Sequence, residues 1–168
     1  MSDIFAGLDN GGNFECESSP APKAMHGQLT DRDTAVRFMT AGKATVTLVS
    51  EKTGTRFTYK ISAAESGDTF FVGLLNGPDN EANYAYLGRI ARGIFWQGRK
   101  VPRAGDIGRD APSSKAFDWT WRALMRGNLP SQLQIWHEGQ CGRCGRKLTV
   151  PESIASGFGP ECLGKLGR

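Results

Sequence analysis

The sequence predicts an α+β fold, an antiparallel β-meander with two packed helices, closed at the C terminus by a small cysteine-bearing knuckle of treble-clef or ribbon type. Three observations predict it. Between Ala44 and Trp96 run successive segments with alternating or β-branched apolar residues, separated by turn-rich breaks. Two other segments, near Thr30 and Lys115, place apolar residues at helical spacing. Finally, three of the four cysteines fall within the glycine-rich residues 137–168.

Residues 1–28, with Gly11–Gly12, Ser18–Ser19, Pro20 and Pro22 and few apolar side chains, read as an extended N-terminal arm. Residues 29–136 read as the α+β core and residues 137–168 as a metal-binding module packed on it. The first helix is expected from Thr30, with Thr30 and Asp33 as a capping box and Ala35, Val36, Phe38 and Met39 as its apolar face. Gly42 then offers a stop.

Ala44–Ser50 and Thr55–Ser62 are expected strands joined by a hairpin loop at Glu51–Gly54. In the second strand Phe57, Tyr59 and Ile61 take one face and Arg56, Thr58 and Lys60 the other. Thr69–Leu75 and Tyr84–Ile90 continue the meander across the turn cluster Asn76–Ala82, and Ile94–Trp96 adds a fifth strand. Residues 97–113 form a Gly/Pro/Arg-rich loop without periodicity. Ser114 is expected to cap a helix over Lys115–Arg126, whose apolar stripe is Phe117, Trp121, Leu124 and Met125. Gly127 and Pro130 end it, and a short strand, Gln132–Trp136, leads into the cysteines.

Composition narrows the function classes. At 39% hydrophobic and 23% charged the chain is globular, and no apolar run approaches a membrane span. The opening MSDIFAGLDN lacks the basic and apolar regions of a secretory signal, which predicts a reducing cytoplasm. In that compartment closely spaced cysteines indicate metal or redox chemistry rather than disulfides. The net charge of +4 is unevenly spread: residues 1–87 hold 7 Lys/Arg against 11 Asp/Glu, residues 88–168 hold 14 against 6. A basic C-terminal half points to an acidic partner, of which nucleic acid is the commonest.

The chemistry concentrates in Trp136–Lys165. Cys141 and Cys144 form C-x2-C, which lets two thiolates on one tight turn face a single ion, and Cys162 follows at a gap usual for zinc ribbons and treble clefs. His137, four residues before Cys141, is the expected fourth ligand. Three thiolates and one imidazole make a closed, structural site for one zinc ion. A redox C-x-x-C would be followed by a long helix, which the Gly/Arg-rich turn does not open. Iron–sulfur ligation is a less common use of such a set. A catalytic zinc with Glu138 as base would resemble a deaminase, but those place the glutamate two residues after the histidine. Arg143, Arg146, Lys147 and Lys165 offset the thiolate charge, and with Trp136 and Arg122 they are the candidate nucleic-acid-binding residues.

These residues carry a resemblance. His137–Gly139, Cys141-x-x-Cys144–Gly145–Arg146, Leu148–Thr149, Pro151, Ser153 and Gly157-x-Gly159–Pro160-x-Cys162 together resemble a small domain family of unknown function found mostly in bacteriophage and prophage proteins. The segment Gly77–Gly88 looks like the one that often precedes that domain. The resemblance implies a phage accessory protein with a zinc-binding tail and no defined activity.

Elsewhere, Asp79, Asn80 and Glu81 read as turn formers rather than cation ligands, and His26 and Cys16 stand alone in the arm. Tyr84, Tyr86 and Phe57 would stack bases on an open sheet face, although alternating aromatics are usually core. No nucleophile triad, phosphate loop or carboxylate pair is present. The expected function is a non-enzymatic accessory protein, held together by structural zinc, that binds DNA, RNA or a nucleoprotein complex. The alternative is a host–virus, anti-defence role as an inhibitor that binds a host nuclease or defence complex. A zinc hydrolase comes third.

Overall fold

A computed structural model describes residues 27–78 and 82–166. The element order is β1 (Gly27–Gln28), α1 (Arg32–Met39), β2 (Lys43–Ser50), β3 (Arg56–Ala63), β4 (Thr69–Leu75), β5 (Tyr84–Ala91), β6 (Ile94–Gln97), α2 (Pro112–Met125), β7 (Leu133–His137), α3 (Pro151–Ser156) and α4 (Pro160–Leu166). Most of the expected arm, with Cys16 and His26, and the turn residues Asp79–Glu81 lie outside the described residues.

The strands form one antiparallel sheet in the order β1-β7-β2-β3-β4-β5-β6. β2 to β6 are the predicted meander, but the sheet as a whole is not one. β7 returns to pair with β2, Ile135 opposite Leu48, and β1 adds an outer edge to β7. Gly27 and Gln28 are therefore sheet rather than arm.

Alternation gives the sheet two different faces. Val46, Leu48, Phe57, Tyr59, Ile61, Val72, Leu87, Phe95 and Ile135 are buried on the inner one. At Leu87 the pairing shifts, with Val72 opposite Gly88 but Gly73 opposite Tyr86, so β5 carries an extra residue and Leu87 stays inward. The β5–β6 hairpin closes through Arg92 and Gly93 at φ 52° and 74°, the backbone of a tight I′-type turn.

α1 and α2 cover the inner face. Phe117 of α2 packs on Tyr59 and Phe95, with ring centroids 5.0 and 4.7 Å apart, and the Tyr59 hydroxyl donates to the Ser113 carbonyl at 2.8 Å. Trp121 is buried and donates from Nε1 to the Gly93 carbonyl at 3.0 Å, while Met125 at the end of the predicted stripe is exposed. Both helix starts differ from expectation. Asp31 rather than Thr30 caps α1, accepting from the Thr34 N–H, because its short carboxylate reaches that N–H from extended backbone. α2 begins at Pro112, whose ring is preset for the first turn, and Ser114 is inside the helix, donating to the Gly108 carbonyl. The loop after β6 also has order: the Gly98 and Ile107 N–H groups donate to the Leu87 and Tyr86 carbonyls, extending the edge of β5.

Beyond the two expected helices, α3 and α4 belong to the cysteine segment. Cys141, Leu148, Phe158 and Cys162 join the same apolar cluster as the sheet and α1. No helix among the described residues is long and apolar enough to cross a membrane.

Candidate metal centre

After β7 the chain turns at Gly139 and forms a tight hairpin closed by the Gln140–Lys147 bridge. Inside it the Cys141 N–H donates to the Arg146 carbonyl at 2.8 Å and the Gly145 N–H to the Cys141 carbonyl at 2.9 Å. Gly145 has φ +79°, a conformation that glycine adopts without steric cost. The hairpin is tied to the sheet, since the Lys43 N–H donates to the Gly142 carbonyl at 2.7 Å.

α3 starts with a proline and ends at Gly157 with φ +77°, a left-handed C-terminal stop. That turn sends the chain through Phe158 into α4, whose first turn presents Cys162 beside the hairpin cysteines. Phe38 of α1 holds the two halves together. Its ring lies where a Cβ on Gly142 or Gly157 would be, and its centroid is 5.8 Å from Phe158.

The Sγ atoms of Cys141, Cys144 and Cys162 all lie within 4.8 Å of one another. A tetrahedral ion with metal–sulfur bonds of about 2.3 Å needs sulfurs about 3.8 Å apart, so the trio has the dimensions of a metal site. The main chain is also arranged for an anionic sulfur. Burial raises the Cys141 pKa, but N–H groups of Cys144, Gly159 and Arg143 outweigh it and bring the thiol to about 7. Cys162 is pushed up by burial and by the neighbouring Cys144 and Cys141 thiols. Three sulfurs so placed repel one another when ionised, and a bound cation removes that repulsion. The residues fit a metal.

His137 does not join them. Its imidazole is buried, 1% exposed, on the inner face at the end of β7. Nδ1 accepts from the Gly139 N–H at 3.0 Å and Nε2 lies 2.6 Å from the Ile154 carbonyl, which fixes the neutral tautomer with its proton on Nε2. Both ring nitrogens are thus committed to main chain, and the expected fourth ligand is instead a latch between β7 and α3. The ring also packs on Phe38 at 5.3 Å, and Gly27 opposite it has no side chain because a Cβ there would collide with Nε2. Spacing put His137 near the motif; only the sheet register shows that its side chain points elsewhere.

The cysteines open into a cleft of about 370 Å³ lined also by Arg143, Arg146, Lys147, Glu161 and Lys165. Four of the six candidate nucleic-acid-binding residues therefore share one cleft with the three cysteines. The other two do not line it. Arg122 is on α2 and pairs with Asp118 at 3.1 Å, and Trp136 faces outward from β7, donating to Gln134 at 2.9 Å. Of the three aromatics considered for stacking, Phe57 is core, whereas Tyr84 and Tyr86 are part-exposed on the outward face. That face also carries exposed Phe71 and Trp96, whose strand parity is readable in the sequence but whose exposure is not.

No curated protein and no solved structure matches the chain. Residues 136–167, which hold His137, the three cysteines and the basic lining of the cleft, match the model of a family of unknown function, DUF6011.

Proposed function

We propose that this chain is a non-enzymatic nucleic-acid-binding protein whose C-terminal segment is held by one structural zinc ion on Cys141, Cys144 and Cys162. Zinc suits such a set, because thiolates are soft ligands and zinc takes small tetrahedral sulfur-rich sites without redox chemistry. The three sulfurs would fill three of its four positions; among the described residues no further Cys, His, Asp or Glu side chain stands with them, so the fourth would fall to a ligand outside this set. The ion would supply folding energy to the hairpin and α4, elements too short to be stable alone. The observation that carries the binding reading is the lining of the cysteine cleft by Arg143, Arg146, Lys147 and Lys165. Four cations around one opening exceed what partial neutralisation of three metal-bound thiolates requires. The remainder suits phosphate oxygens, which such side chains contact without reading sequence. An accessory role in a phage or prophage belongs to the same reading and rests on the motif resemblance of residues 137–162 alone.

The test is duplex binding as a function of salt. Affinity should fall with a log–log slope of about −0.9 per phosphate neutralised, and replacing Arg143, Arg146 and Lys147 by Ala should flatten the slope by roughly 2–3 with metal content unchanged. Absence of binding at low salt, or a slope that the triple variant leaves unaltered, overturns the reading. Nuclease-insensitive co-purification with one host protein would then favour an inhibitor of a host complex.

A further inference from the structure

The outward face of the sheet carries a cross-strand row that the cysteine cleft does not use. Phe71 of β4 is paired with Arg89 of β5, and Arg89 with Trp96 of β6, so the three side chains lie side by side on three adjacent strands. Phe71 is 46% exposed and Trp96 52%, and Arg89 between them is exposed. One step along, the Tyr86 ring lies 6.4 Å from Phe71 and carries the Arg99 guanidinium at 3.9 Å. Arg99 is held there by Asp106, 3.0 Å away.

Single exposed aromatics are ordinary on protein surfaces. Two rings flanking a cation, with a third ring already stacked on another, are a different arrangement. The charge around them is mainly positive: residues 82–106 hold five Lys/Arg against the single Asp106, which Arg99 already pairs. Strand spacing puts Phe71 and Trp96 about 10 Å apart, with Arg89 on the strand between them. A chain of alternating flat bases and phosphates fits that alternation, bases on rings and phosphate on Arg89. Only an unpaired strand can turn its bases onto a sheet face, because in a duplex they are stacked on one another.

We infer that the outward face of β4–β6 binds single-stranded nucleic acid, with Phe71 and Trp96 stacking on bases and Arg89 contacting the phosphate between them. The inference rests on the reading of the chain as a nucleic-acid binder but uses a surface on a different part of the fold. Stacking of this kind is tolerant of sequence, so oligothymidylate and oligouridylate serve equally as probes.

The experiment is fluorescence anisotropy of the full chain with labelled oligothymidylate and oligouridylate of about 12 nucleotides, and with a duplex of equal length. Phe71→Ala with Trp96→Ala should lower single-strand affinity about 10–100-fold with the duplex little changed, and Phe71→Tyr with Trp96→Phe should largely restore it. Both side chains are exposed, so the fold survives, as an unchanged melting temperature would verify. Unaltered single-strand affinity in the Ala pair, or an equal loss in the ring-retaining pair, overturns the inference. So does a wild-type chain that binds duplex but no single strand, a result that leaves the basic cleft standing. If instead the Arg143, Arg146 and Lys147 substitutions change nothing while the Ala pair loses single-strand binding, the cleft reading fails alone. If the Ala pair dissolves a self-associated species and keeps its single-strand affinity, the patch joins copies of the chain and the inference is wrong.

Discussion

Replacing His137 by Ala separates a latch from a ligand. The substitution removes two hydrogen bonds, from the Gly139 N–H and to the Ile154 carbonyl, and the ring packed 5.3 Å from Phe38. Each bond contributes about 1 kcal/mol net, but a buried main-chain group left without its partner costs about 1–3 kcal/mol. The vacated space adds a cavity term, because Phe38 is itself fixed between Gly142, Gly157 and Phe158 and cannot collapse into it. The total is about 3–5 kcal/mol, or a fall in melting temperature of about 6–20 °C for a domain of this size. Zinc per chain should stay at its wild-type level, since the imidazole nitrogens face main chain and not sulfur. Thermal unfolding followed by circular dichroism, with zinc counted by atomic emission on the same dialysed sample, measures both quantities. Loss of zinc from the variant would restore the imidazole as a ligand. A melting temperature within a degree or two of wild type would refute the latch.

Cys144→Ser should abolish stoichiometric zinc and expose residues 140–166 to proteolysis, leaving the sheet folded; retained metal would mean the three sulfurs are not its ligands. Gly157→Ala should destabilise by about 2 kcal/mol or more, because it adds a left-handed strain penalty to a clash with the Phe38 ring, and chemical denaturation with no shift in midpoint would contradict that geometry. Trp121→Ala should cost about 3–5 kcal/mol through the buried indole and its bond to Gly93, and a neutral result in urea unfolding would place that stripe on the surface.

Local patterning settled a large share of this molecule. The alternation of Arg56 to Ala63 specifies both that β3 is a strand and that Phe57, Tyr59 and Ile61 turn inward, because side-chain period and strand pleat are the same thing. The stripe Phe117, Trp121, Leu124 likewise marks the buried side of α2, and C-x2-C with Cys162 marks a converging trio of cysteines that could hold a metal, since thiols at those separations are brought together by short turns. What lay beyond reach depended on contacts distant in sequence. That β7 returns to β2, and that Gly27 pairs with His137, is decided by which strand covers which edge, and no local pattern encodes it. His137 is the sharpest instance. Its spacing from Cys141 is that of a ligand, yet the sheet register turns its ring inward, where Gly139 and Ile154 take both nitrogens. The same holds for Phe71 and Trp96, which read as ordinary strand aromatics until the helices are seen to cover only the opposite face. Sequence determines which side chains share a face, through backbone periodicity; tertiary packing alone decides which face is buried and which ligand atoms meet.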